Sequence, residues 1–186
     1  MRECGGLTTS AARGRCLLAL SGGSTPKTLY QTLASREWKE RFDFSRILFL
    51  FGDERCVPPS HQQSNFAMAQ AALFQPLNIH PDHVYRIKGE LPDPLAAAQD
   101  YEKALRQLTQ CVAPDMPRLD LILLGLGEDG HTASLFPGTA ALKDCSRAVA
   151  VGQAPTGITS RLTLTLGVIN RATVVLFLVA GTGKAP

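Results

Sequence analysis

Cys16-Leu17-Leu18-Ala19-Leu20 runs without a break into Ser21-Gly22-Gly23-Ser24-Thr25-Pro26. The first five residues are continuously apolar and flanked by a glycine turn, so they read as a strand covered on both faces. Thr25 ahead of Pro26 predicts a helix N-cap with proline at the first helical position, and a helix over 25–34. Strand, glycine turn and helix together form the repeating unit of a doubly wound sheet.

The unit recurs outward from that stretch. Residues 47–51, 119–124 and 173–179 are further apolar runs of strand length, each ending in a loop that bears glycine. Residues 84–87 and 148–151 are weaker strands. Residues 161–166 alternate as R-L-T-L-T-L, a strand with one face polar or near a site. Helices are predicted over 64–74, capped by Ser64 with Phe66, Ala69 and Leu73 on one face, and over 93–110, started by Asp93-Pro94. The second carries Leu95, Ala98, Tyr101, Leu105 and Leu108 along one side. The fold class that follows is α/β, a doubly wound, mostly parallel sheet of Rossmann-like build. No repeat, low-complexity tract or linker divides the chain. One domain is expected over 15–186, behind an irregular segment 1–14. Both ends read as cut, because 1–14 carries no helix pattern and the chain stops where a helix should follow the last strand.

Bulk properties exclude several classes of function. The net charge is only +3, aromatic residues make up 6%, and the positive charges are scattered. Nucleic acid is therefore not an expected partner. Five cysteines, at 4, 16, 56, 111 and 145, form no C-x-x-C pair. They read as reduced thiols of a cytoplasmic protein, without a zinc site or disulfide framework. No apolar run approaches the roughly 20 residues of a membrane helix. No metal or other cofactor is expected. The partner is a small molecule, and the protein is expected to be a monomer.

Ligands of open α/β sheets bind at the carboxyl ends of the strands, and four strand-end loops here carry functional groups. Ser21, Gly22, Gly23, Ser24 and Thr25 offer hydroxyls and backbone N–H groups to an anion at a helix N-terminus. Asp53, Glu54 and Arg55 follow the second strand, and the planar fork of Arg55 suits a phosphate. Gly125, Gly127 and Gly130 satisfy G-x-G-x-x-G. Glu128 and Asp129 would repel a pyrophosphate there, and Phe136-Pro137-Gly138 interrupts the helix a dinucleotide would need. The loop instead presents His131 as a general base, with Asp129 close enough to orient its ring. His61, His80 and His83 read as surface residues. Gly181-Thr182-Gly183-Lys184 lacks the spacing of a Walker A loop, but Lys184 could meet a phosphate as a point charge.

Taken together, L-A-L-S-G-G-S-T-P (18–26), G-D-E-R-C-V-P (52–58), G-L-G-E-D-G-H-T-A-S-L-F-P-G (125–138) and R-L-T-L-T-L-G-V-I-N-R-A (161–172) resemble the 6-phosphogluconolactonase family. The resemblance implies a parallel α/β fold related to glucosamine-6-phosphate deaminase and ribose-5-phosphate isomerase. It implies hydrolysis of 6-phosphoglucono-1,5-lactone to 6-phosphogluconate in the oxidative pentose phosphate pathway, without a metal. It makes His131 the base that activates water and Asp129 its support. Ser21 to Thr25, Arg55, Arg161 and Lys184 would surround the sugar phosphate, with Asp53 and Glu54 beside them. It also implies helix and strand segments beyond both ends, so that the chain reads as a truncated or alternatively spliced product. Two alternatives stand beside it: a weakly active or non-catalytic sugar-phosphate binder, and a glucosamine-6-phosphate deaminase-like enzyme. The latter family shows Asp-Glu-Tyr where Asp53-Glu54-Arg55 stands here.

Overall fold

In the computed structural model, residues 14–181 are described. Strand β1 (Cys16–Leu20) pairs in parallel with β2 (Ile47–Phe51) on one side and with β4 (Leu121–Leu124) on the other. Strand β7 (Val174–Phe177) continues the sheet beyond β4, giving the order β2-β1-β4-β7. A second, three-stranded sheet is antiparallel, with β6 (Ser160–Leu164) between β3 (Asp53–Arg55) and β5 (Val149–Gln153). Gly52 joins the two sheets. Its N–H donates to the Leu20 carbonyl of the first, and its carbonyl accepts from the Leu164 N–H of the second.

The helices are α1 (Ser24–Leu33), α2 (Asn65–Ala69, prolonged by a π turn over Gln70–Phe74), α3 (Pro94–Thr109), α4 (Ala140–Lys143) and α5 (Leu166–Ile169). Helix α3 starts as its sequence suggests: the Asp93 carboxylate accepts from the Leu95 N–H at 2.9 Å, and Pro94 occupies the first turn. It ends at Gln110, which turns left-handed with φ 53°. Ala97, Ala98, Tyr101 and Leu105 form its buried face. Leu95, in the first turn, does not join them and is exposed. Glu102 accepts from the N–H groups of Ala148 and Val149, which ties α3 to the start of β5.

The core fills the space around the parallel sheet. Leu17, Leu20, Phe49, Leu50, Phe51, Leu73 and Phe74 are essentially inaccessible, and the Phe49 and Phe74 rings pack 5.2 Å apart. Burial of each such side chain stabilises the fold by roughly 1.5–3 kcal/mol.

Several expectations need correction. Thr25 does not cap α1. The cap is Gly23, and the helix already begins at Ser24. Residues 84–87 form no strand but a single bridge from Val84 to Phe49. The run 173–179 is shorter and less covered than its apolarity implies: Val174, Leu176 and Phe177 are about half exposed on β7 at the edge of the sheet. Among the described residues, no helix is long and apolar enough to cross a membrane.

Candidate active site

Three loops converge at the carboxyl ends of β1, β2 and β4. After β1, Ser21 is buried, and Gly23 takes φ 107°, a left-handed value that glycine adopts without strain. The first turn of α1 carries neither a side-chain cap nor an acidic residue. Its N–H groups and the positive end of its dipole therefore face the cleft.

After β2, strand periodicity separates the two carboxylates, because successive side chains leave a strand on opposite faces. Asp53 turns into the cleft. Its Oδ2 accepts from the Ser134 hydroxyl at 2.7 Å and its Oδ1 from the Asn65 amide at 3.1 Å. Glu54 turns the other way and is buried. It accepts from the N–H groups of Asn65 (2.7 Å), Phe66 (2.8 Å) and Arg55 (2.8 Å), and from the Ser64 hydroxyl (3.0 Å). Burial pushes its carboxyl above the usual range, and the N–H groups draw it part of the way back.

After β4, the Gly125–Thr132 loop folds on itself. The Gly127 N–H donates to the His131 carbonyl at 2.8 Å, and the Thr132 hydroxyl donates to the Gly125 carbonyl at 2.8 Å. The Asp129 carboxylate lies 2.5 Å from His131 Nδ1 and also accepts from the His131 N–H. The imidazole beside Asp129 holds its carboxyl below the usual range. A carboxylate on Nδ1 favours the tautomer with its proton there, which leaves Nε2 as the basic nitrogen. Phe136 packs on the ring, with centroids 4.3 Å apart.

Arg55 and Arg161 stand directly opposite each other on β3 and β6. Their Nε atoms are buried and have no hydrogen-bond partner. Burial, and then the Arg55 charge, push the Arg161 guanidinium below its usual range. Like charges facing across strands are destabilising, and an anion placed between them would reverse the sign of that interaction. Two clefts meet here. One, of about 240 Å³, runs from the Ser21–Thr25 loop to His131. The other, of about 370 Å³, runs from Asp129 and His131 to Arg161. Asp53, Arg55, His131 and Ala133 line both.

The sequence matches the family described as glucosamine-6-phosphate isomerases/6-phosphogluconolactonase over residues 7–186. It is 44% identical over 174 residues to a 6-phosphogluconolactonase of Synechocystis, covering 94% of this chain and 70% of that protein. It is 43% identical over 168 residues to a 6-phosphogluconolactonase of Treponema pallidum, covering 90% of this chain and 68% of that protein. The chain belongs to the glucosamine-6-phosphate isomerase/6-phosphogluconolactonase family. The fold agrees. The crystal structure of 6-phosphogluconolactonase from Leishmania guyanensis superposes with a TM-score of 0.82 at 36% identity, covering 93% of this chain and 72% of that one.

In this family member the structure brings Ser21 to Thr25, Asp53, Arg55, Asp129, His131 and Arg161 around the joined clefts. Glu54 is not among them; it lines neither cleft and instead holds the start of α2. Lys184 lies outside the described residues. Sequence reasoning missed Asn65 and Ser134, which share the Asp53 carboxylate. The only signal for Asn65 was its place directly after the Ser64 helix cap.

Gly127 offers a test of the His131–Asp129 geometry. A Cβ there would overlap the His131 ring and the Asp129 carboxylate. Both side chains are partly exposed and can swing aside, so the displacement costs little stability. Gly127→Ala is expected to lower kcat on the order of 10²-fold, as a misplaced catalytic group does, with the melting temperature within a few degrees of wild type. Unchanged kcat would show that this loop does not set the rate.

Proposed function

We propose that this chain hydrolyses 6-phosphoglucono-1,5-lactone to 6-phosphogluconate, the lactone-opening step of the oxidative pentose phosphate pathway. The relatives that carry the name 6-phosphogluconolactonase support it. The observation that carries it in the site is the His131–Asp129 pair opening on the same space as Arg55 and Arg161, whose Nε atoms are buried without hydrogen-bond partners. A lactone ester needs an activated water. A dianionic phosphate needs fixed cations.

In this reading, Nε2 of His131 takes a proton from water as its oxygen attacks the lactone carbonyl carbon. Asp129 stabilises the imidazolium that forms. The tetrahedral intermediate then breaks the bond from that carbon to the ring oxygen, and the imidazolium returns the proton to the departing oxygen. Arg55, Arg161 and the open turn of Ser21 to Thr25 hold the phosphate, and Lys184 adds a further cation. Asp53, fixed by Ser134 and Asn65, accepts from a substrate hydroxyl. No step calls for a metal, and among the described residues no three His, Cys, Asp or Glu side chains gather as a ligand set. The reading extends to a monomeric, cytoplasmic enzyme without nucleic-acid or membrane partners; the scattered charge supports only the first of these exclusions.

Substrate comparison tests this. Wild type should release acid from the phosphorylated lactone and no ammonia from glucosamine 6-phosphate. Ammonia release would favour the deaminase reading, and tight phosphate-ester binding without turnover would favour a binding protein. Arg55→Ala should raise KM for the phosphorylated lactone by roughly tenfold or more and leave the slow turnover of the unphosphorylated lactone nearly unchanged. Equal losses on both would place Arg55 at the carbonyl. Activity should also survive EDTA. Lasting inactivation reversed by added metal would overturn the mechanism.

A further inference from the structure

Two buried tyrosines outside the clefts make the same unusual contact. The Tyr101 hydroxyl accepts from the Phe51 N–H at 2.8 Å and donates to the Phe51 carbonyl at 3.0 Å. The Tyr30 hydroxyl accepts from the Ser21 N–H at 3.0 Å and donates to the Ser21 carbonyl at 2.8 Å. Each phenol thus stands in for a missing strand neighbour, where a backbone leaves the sheet with both polar groups buried. Both rings are fully buried, and burial holds both phenols in the protonated form that can donate.

We propose that Tyr30 is a positioning residue for phosphate binding. Tyr30 lies on α1, the helix whose N-terminus opens on the first cleft, and Ser21 begins the loop leading to that N-terminus. The pair of bonds closes a ring from Ser21, through Gly22 and Gly23 and nearly two turns of helix, back to Ser21. Two glycines in so short a loop would otherwise let its N–H groups point in many directions. The ring fixes them before the ligand arrives, so that the ordering cost is met on folding and not on binding. Tyr30 touches neither the His131–Asp129 pair nor the reacting carbonyl, so its effect falls on binding.

The inference rests on the lactonase reading for its kinetic arm only; its binding arm uses inorganic phosphate. Tyr30→Phe keeps the ring and removes both bonds. The expected result is a roughly tenfold rise in KM for the phosphorylated lactone and in the Kd for inorganic phosphate, with kcat and its pH profile within about twofold of wild type. A Tyr30→Phe protein that binds phosphate as wild type does, or loses kcat as much as it loses phosphate affinity, overturns the proposal. Should Tyr30→Phe not fold, amide exchange on wild type decides: the Ser21 amide should be protected before phosphate is added and unchanged after. A Ser21 amide that exchanges freely until phosphate binds would show that the ligand, not Tyr30, orders the loop. Phosphate binding with these responses but no lactone turnover would sink the lactonase reading and leave this one standing.

Discussion

His131→Ala should lower kcat on the order of 10²-fold or more while leaving KM for the phosphorylated lactone nearly unchanged. The imidazole is the only group placed to take a proton from water beside the joined clefts with its second nitrogen already held by a carboxylate, among the described residues. Loss of a positioned general base removes about 10²- to 10⁴-fold. The groups proposed to hold the phosphate lie on other loops and stay in place. Asp129→Asn should act in the same direction, because an amide can hold the imidazole in the wrong tautomer. The Asp129 carboxyl sits below its usual range, so it stays ionised beside the imidazole until the pH falls below the ordinary carboxylate range, and the rate should fall only there through its loss. Steady-state kinetics on the variants check this, and a kcat for His131→Ala close to wild type would remove the residue from the mechanism.

The second large effect is on stability. Glu54→Ala should destabilise the protein by roughly 3–5 kcal/mol, since each buried N–H left unsatisfied costs about 1–3 kcal/mol. The Asn65 and Phe66 N–H groups and the Ser64 hydroxyl all lose their acceptor. Freed from that anchor, Asn65 drifts from Asp53, so activity should fall as well. The sign with pH follows from the raised carboxyl of Glu54. Between the ordinary glutamate value and the raised folded value, the folded state binds more protons than the unfolded one. The contribution of Glu54 to stability is therefore fully present below that window and is partly lost as pH rises through it. Chemical denaturation of wild type and Glu54→Ala across that range checks both statements. A loss below 1 kcal/mol would show that Glu54 is dispensable to α2.

The parallel sheet was legible because continuous apolar runs ending in glycine loops have few other readings. The cleft loops were legible for the related reason that glycines, hydroxyls and charges at strand ends are costly without a ligand. What was lost was directional. Adjacent carboxylates look alike in sequence, yet the pleat sends Asp53 to the cleft and Glu54 to a helix start. Strand 161–166 showed its alternation but not its antiparallel partners, because pairing with β3 and β5 depends on the crossing at Gly52. Asn65, Ser134 and Tyr30 are ordinary residues on helix or loop, and only the folded chain brings them to Asp53 and Ser21. Thr25 looked like the cap, but glycine at 23 could take the left-handed turn and start the helix earlier.

The most direct measurement is the initial rate of acid release from fresh 6-phosphoglucono-1,5-lactone at neutral pH, against the spontaneous hydrolysis of the same solution. The expected result is a rate above the blank that scales with wild-type protein, survives EDTA and disappears in His131→Ala. A wild-type rate indistinguishable from the blank would contradict the account.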